Sequence, residues 1–305
     1  MKIINLDDAV INALNLFISN PPPKLNLSGY DLPFVVGSGN AYNTGQILFS
    51  QKAAIFADES NFKTLVPSYK KAINQKIITQ ALVISASGGK DSVWELELAK
   101  ENGLKTTLLT TKKDSDAAKT TDNLLVYESL DEPYTYNTST YMGMILSATN
   151  EDIKKIKEFI ENLKFPTNFA NYDSFAFVLP DKFSSICPML DIKKSELFGP
   201  LVSLRAFPQG HARHAKFVIR DEKELVISIN SVNNFFGYPD HRWDFEIPTD
   251  FSFAAVMAIT YYITGKIQIS KPEYFKENIK NYVEDYGPKA YGKNEKFDLI
   301  VPGSK

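Results

Sequence analysis

A single cysteine among 305 residues, Cys187, leaves no partner for an internal disulfide and fits a reducing compartment. The simplest reading of that lone thiol is a small buried apolar side chain near a helix start, not a nucleophile. An uninterrupted apolar run of about 18 residues is also missing, so no membrane span is expected. The first twenty residues carry Asp7 and Asp8 inside an apolar pattern and lack a small-residue cleavage site, so no signal peptide is expected either. An excess of one charge is absent as well: 34 Lys and Arg face 36 Asp and Glu, a net charge of −2. That leaves no basic footprint for nucleic acid. What is present is ordinary globular composition, 44% hydrophobic and 23% charged, which argues against disorder. The expectation is a cytoplasmic, soluble protein of one large or two medium domains.

Apolar spacing predicts a helix over 6–18, closed by Pro21, Pro22 and Pro23. Short apolar strands are then expected at 34–36, 53–56, 81–85, 106–109 and 124–127, with helices at 42–53, 62–73 and 91–102. Gly103 stands where a left-handed C-cap belongs. Residues 141–163 read as one long helix ending before Pro166. Beyond it, strands are expected at 175–179, 214–219 and 225–229, and helices at 189–198, 252–265 and 272–286. Strands alternating with helices indicate βαβ crossovers and a parallel sheet. The divisions predicted are a helix and proline linker over 1–27, an α/β unit with its linking helix over 28–165, a second α/β unit over 166–286, and a tail over 287–305.

Ligands of open parallel sheets bind beyond the carboxyl ends of the strands. Two glycine-rich turns fall there. One is Gly37-Ser38-Gly39-Asn40-Ala41. The other is Ser85-Ala86-Ser87-Gly88-Gly89-Lys90-Asp91-Ser92, where hydroxyls, freed amides, a helix start and a lysine favour a phosphate dianion. Glycine-rich turns also arise from geometry alone. The string Ser87-Gly88-Gly89-Lys90-Asp91-Ser92 also matches the phosphate loop of the ATP pyrophosphatases, and that alternative stays open at this point.

In order, the chain resembles the sugar-isomerase (SIS) domains of phosphosugar isomerases, especially the isomerase part of glucosamine-6-phosphate synthase. The likeness is carried by Gly39-Asn40-Ala41-Tyr42-Asn43-Thr44-Gly45, by Ser85-Ala86-Ser87-Gly88-Gly89-Lys90, and by Leu108-Leu109-Thr110-Thr111 followed by Asp114 to Lys119 and Asp122. Glu132-Pro133 with Thr138-Ser139-Thr140-Tyr141 continue it. The resemblance extends over roughly 28–277 and implies two αβα sandwich subdomains, each with a parallel sheet. It implies that Ser85, Ser87, Lys90 and the backbone of Gly88 and Gly89 hold a sugar phosphate. Gly39 and Asn40 would line the pocket, with Ser139 and Thr140 assisting. In the second half it implies Glu196 as the base that moves a proton between C1 and C2, and His214, after His211, as the ring-opening group. The region around Lys271-Pro272 resembles the family's C-terminal segment. By spacing alone Glu196, beside Lys193 and Lys194, reads as a solvated helix residue. His211 and His214 with Arg213 could form an anion-binding turn, and no third ligand at suitable spacing points to a metal.

Three departures matter. Lys90 replaces a threonine, Asn40-Ala41 replaces a Thr-Ser pair, and His211 replaces a glutamate. The sequence also opens on a helix and not on a nucleophilic cysteine, so glutamine-fed amination is not expected. The expected function is an aldose–ketose isomerase or deglycase for a hexose or hexosamine phosphate. It would use no cofactor and work as a homodimer in which a histidine reaches the other chain's pocket. A non-catalytic phosphosugar sensor is the alternative from a different class.

Overall fold

Strands buried on both faces of a parallel sheet carry unbroken apolar runs, and Phe34-Val35-Val36 and Ala81-Leu82-Val83-Ile84 become such strands. The computed structural model describes residues 3–230, 233 and 235–304. After α1 (Leu6–Ser19) come β1 (Phe34–Val36), α2 (Asn40–Leu48), β2 (Ile55–Ala57), α3 (Phe62–Ser68), α4 (Lys70–Asn74) and β3 (Gln80–Ile84). They are followed by α5 (Asp91–Glu101), β4 (Lys105–Thr110), α6 (Asp116–Thr120), β5 (Asn123–Val126), β6 (Glu132–Pro133) and α7 (Thr138–Thr149). One compact unit comprises residues 15–131, 137–150 and 302–305. Its five-stranded sheet runs β2-β1-β3-β4-β5, with every pairing parallel. All the loops that follow these strands therefore emerge at one edge. Beneath them Phe34, Ala81, Val83, Leu96, Ala99 and Leu108 form the core between sheet and helices. Asp122 ties β4 to β5 by accepting from the Thr106 amide at 2.8 Å and hydroxyl at 2.9 Å. Those bonds, with the Lys100 ammonium, hold its carboxyl down at about 2.

The rest of the chain supplies α8 (Ile153–Glu161), β7 (Ser174–Leu179), α9 (Cys187–Phe198), β8 (Ser203–Pro208), α10 (Gln209–His214) and β9 (Glu224–Ile229). Then come β10 (Arg242–Phe245), α11 (Phe253–Ser270), α12 (Tyr274–Asn281), α13 (Gly287–Ala290) and β11 (Ile300–Val301). The second compact unit comprises residues 1–14, 132–136 and 151–301. Its sheet is also parallel, in the order β10-β9-β7-β8. α11 is buried along nearly its whole length, which explains its apolar composition on all sides. The apolar stretch near the C-terminus is a short strand, with Ile300 and Val301 pairing antiparallel to Pro133 and Glu132.

Two expectations of secondary structure are corrected. The single helix over 141–163 is two, α7 and α8. Asn150 closes the first in the left-handed conformation at φ 53°, as C-caps favour. Asp152 then opens the second by accepting from the Lys154 and Lys155 amides, a strong N-cap arrangement. The strand expected over 214–219 is the end of α10 followed by irregular chain, in which Val218 and Ile219 are exposed. Among the described residues no helix is long and apolar enough to cross a membrane.

Candidate active site

The loops after β1 and β3 share one backbone geometry. Gly39, just before α2, has φ 57° and ψ −122°, and Lys90, just before α5, has φ 57° and ψ −128°. Glycine adopts that region freely, whereas a lysine there is strained by about 1–3 kcal/mol. The turn before Lys90 is fixed from several sides. The Ser85 hydroxyl accepts from the Gly88 amide at 3.1 Å, and the Gly88 carbonyl accepts from the Ala117 amide at 3.1 Å. The Thr111 hydroxyl donates to the Ala86 carbonyl at 2.8 Å. At the helix start the Ser92 hydroxyl donates to the Gly89 carbonyl at 2.8 Å. Gly88 is required, because its φ is +59° and any Cβ there would collide with the Ser115 hydroxyl. Ser87 and Lys90 remain exposed at the top of this turn. A helix start with a hydroxyl and a lysine exposed above it is a ready anion site.

Asn40 is buried at the first position of α2, and its carbonyl accepts from the Thr44 hydroxyl at 2.7 Å. Ser139 and Thr140 lie in the first turn of α7 and are buried. The Ser139 hydroxyl accepts from the Leu130 amide at 3.0 Å and so fixes the loop after β5. The tail reaches this same edge. Lys112 donates to the carbonyls of Pro302 and Gly303 at 2.6 and 3.0 Å, and the Gly303 amide donates to Asp131 at 2.8 Å.

Glu196, His211 and His214 belong to the second unit. Glu196 is not the solvated residue that its spacing suggests. Lys193, one turn earlier on α9, is completely buried, and its ammonium meets the Glu196 carboxylate at 2.7 Å. The same ammonium donates to the carbonyls of Thr135 and Tyr136 at 2.7 and 3.0 Å. Thr135 holds the uncommon φ of +80°. Burial pushes the Glu196 carboxyl above the ordinary carboxylate range, and the Lys193 ammonium opposes that rise. A half-buried carboxylate tuned in this way suits proton transfer. Lys193 is the buried neighbour of Glu196 that sequence reasoning left aside. The i, i+3 spacing pointed to it, but only the fold shows it buried.

His211 and His214 both lie on α10 and are exposed. Neither is joined to Glu196 by a hydrogen bond among the described residues. No group of three His, Cys, Asp or Glu among those residues could hold a metal ion. Cys187 is buried at the start of α9, and burial pushes its thiol up to about 12, as expected of an inert side chain. A groove of about 440 Å³ between α8 and β10 contains none of the candidate residues.

No family model matches the sequence, and no curated protein matches it. Solved structures do. Glucosamine-6-phosphate deaminase from Thermotoga maritima is similar with a TM-score of 0.58 at 17% identity, over 87% of this chain and 93% of that one. Tagatose-6-phosphate ketose/aldose isomerase from Escherichia coli gives 0.57 at 14% identity, over 86% of each chain. The chain has the double SIS fold. The C-terminal domain of glucosamine-fructose-6-phosphate aminotransferase from Francisella tularensis agrees, with a TM-score of 0.55 at 13% identity over 87% of this chain and 93% of that one. The two parallel sheets are then the two SIS subdomains, with the phosphate-loop candidates in one and the Glu196 group in the other.

Proposed function

We propose that the protein is a phosphosugar isomerase, or a deglycase acting on a C2-linked adduct of such a sugar, working by C1–C2 enolisation of a hexose or hexosamine phosphate. The observation that carries this reading is Glu196, a half-buried carboxylate with its pKa raised by burial and one turn from a fully buried lysine. Glu196 takes the proton from one carbon and returns it to the next, while His214 serves the ring oxygen. The phosphate sits on Ser85, Ser87, Lys90 and the amides of Gly88 and Gly89, and Gly39, Asn40, Ser139, Thr140 and His211 shape or support its surroundings. The SIS fold and the solved structures that share it support a phosphosugar ligand and not ATP, whose case rested on the six-residue string alone. The test is exchange of the C1 or C2 hydrogen of hexose and hexosamine phosphates with deuterated solvent, read by NMR. Binding without exchange would make the protein a phosphosugar sensor.

The loop itself offers a test in which stability and binding move in opposite directions. Lys90→Gly removes the strain at φ 57° but adds unfolded-state entropy, so a net stabilisation of about 1 kcal/mol is expected. It also removes a charge-assisted contact to phosphate, weakening phosphosugar binding by about tenfold. A variant that melts higher but binds as tightly as the wild type would remove Lys90 from the phosphate site.

Exposed His211 and His214 on α10 suit donation to the pocket of a second copy, and we expect a two-fold symmetric homodimer. Sedimentation should give twice the 34.3 kDa chain mass. A fully active monomer would contradict this.

A further inference from the structure

The Lys193–Glu196 pair has a third member in the same compact unit. Thr135, whose carbonyl accepts from the Lys193 ammonium at 2.7 Å, holds φ at +80°. A β-branched residue in that region is an outlier, and such strain persists only where the surroundings enforce it. Here they enforce it from both sides. The Tyr134 ring stacks on Phe297 with centroids 5.1 Å apart and 16° between the planes, and Tyr282 lies 5.9 Å from it. The Tyr134 amide donates to the Leu299 carbonyl at 2.9 Å, beside the pairing of β11 with β6. On the other side the Tyr136 ring lies 5.1 Å from that of Phe275, and its hydroxyl donates to the Ile4 carbonyl at 3.0 Å.

This clamp leaves the Thr135 hydroxyl without an outlet. Its Oγ1 is buried and closes no hydrogen bond, although a buried polar group normally has a partner. Lys193 meets the Thr135 carbonyl and the Glu196 carboxylate, each at 2.7 Å, so residue 135 stands within two hydrogen-bond lengths of that carboxylate. Burial pushes the Glu196 carboxyl up, and the Thr135 hydroxyl works with the Lys193 ammonium to draw it down. Hydrogen bonds of catalytic groups are often long before substrate binds and tighten in the complex. The other titratable groups facing the pair are phenols. Tyr136 comes from the turn itself, Tyr282 from the π-helical turn Tyr282–Tyr286, and the Tyr261 ring of α11 lies 5.8 Å from the Lys193 ammonium. Burial pushes the Tyr136 and Tyr282 hydroxyls above the ordinary phenol range, so both stay neutral where a carboxyl titrates.

We propose that Thr135 is a positioning residue for Glu196: its strained turn, clamped by Phe297, Tyr282 and Phe275, aims the hydroxyl at the carboxylate and donates to it when it is ionised. This rests on the reading of Glu196 as the base and adds a donor beyond the ammonium. Lys193 holds Oε2, and a second donor limits rotation of the carboxylate, so the same lone pair faces carbon in every turnover.

The test is carbon-13 NMR of the full chain labelled in its glutamate carboxyls and titrated with pH, the Glu196 signal being assigned by its loss in Glu196→Gln. Thr135→Val keeps the shape and the branch but deletes the donor. Glu196 should then titrate about one pH unit higher, the tenfold gain in proton affinity that follows loss of a hydrogen bond to a charged group. Thr135→Ser keeps the hydroxyl and should titrate with the wild type. Phe297→Leu loosens the clamp and should move Glu196 in the same direction as Thr135→Val, which keeps the test open should that variant fold poorly. Thr135→Val titrating with the wild type, or Thr135→Ser shifted as far as Thr135→Val, would overturn the proposal. No substrate enters this measurement, so absence of hydrogen exchange from every hexose phosphate overturns the isomerase reading and leaves the titration to decide the role of Thr135. Where exchange occurs, its acid limb should rise by the same interval in Thr135→Val with phosphosugar affinity unchanged, and a limb that stays in place would count against the positioning role.

Discussion

Glu196→Gln should lower turnover by roughly 10²–10⁴-fold, the usual contribution of a positioned general base, while phosphosugar affinity barely changes. Glutamine keeps the shape of glutamate and its capacity for hydrogen bonding to Lys193 but cannot accept a proton from carbon. The loss therefore falls on an interaction made mainly in the transition state. Solvent deuterium exchange at C1 or C2 reports the step directly, even where net conversion is unfavourable. Exchange in the wild type that disappears in the variant identifies the base. Exchange at an undiminished rate in a folded glutamine variant would move that role to another residue. Calorimetry on the same sample separates the two effects, because a damaged fold would lose affinity along with rate.

Lys193→Met is expected to cost about 3–5 kcal/mol of stability, the range for breaking a buried ion pair by removing one partner. Three acceptors lose their donor at once: the Glu196 carboxylate and the carbonyls of Thr135 and Tyr136. The carboxylate side chain keeps 21% exposure, so some of the loss is recovered through water and the lower end of the range is expected. The second consequence is electrostatic. Burial raises the Glu196 pKa and Lys193 opposes that rise, so without the lysine the pKa climbs further. The acid limb of the exchange profile should then move to higher pH, with activity lost near neutrality and partly regained in alkali. A melting temperature close to that of the wild type, with an unshifted profile, would show that the pair is neither structural nor catalytic.

Much of the fold was legible because its informative segments obey simple rules. The strands around Val35 and Val83 are buried on both faces and read as unbroken apolar runs. Other segments hid for physical reasons. β8 was missed because Arg205 interrupts its apolar run. In the structure that guanidinium meets Glu224 at 2.6 Å and lies 4.4 Å over the Phe217 ring, so a charge sits in the strand at little cost. The irregular chain after α10 was read as a strand because Phe217, Val218 and Ile219 have β-favouring side chains, yet Val218 is 86% exposed. Propensity yielded to context. The break at Asn150 and Asp152 was readable, since each residue favours its own helix-end position, but apolar periodicity on both sides masked it.

The candidate site divides in the same way. The loop around Gly88 was visible from composition, because glycine, serine and a helix start leave a local signature. The meaning of Lys193 was not, since a lysine three residues before a glutamate looks like a surface pair until burial is known.

Neither compact unit is a continuous stretch of chain, and the path changes unit near residues 14, 131, 136, 150 and 301. The protein cannot be bisected by a single cut. A fragment ending at 165 would keep residues 1–14 and 132–136 but lose almost everything that buries them, leaving Leu6, Val10 and Tyr136, all fully buried in the intact chain, open to water. The complementary fragment would lack Thr135 and Tyr136, the carbonyl acceptors of Lys193. Fragment complementation, two-hybrid baits and limited proteolysis therefore need both halves together, and a nicked chain should stay associated until it is denatured.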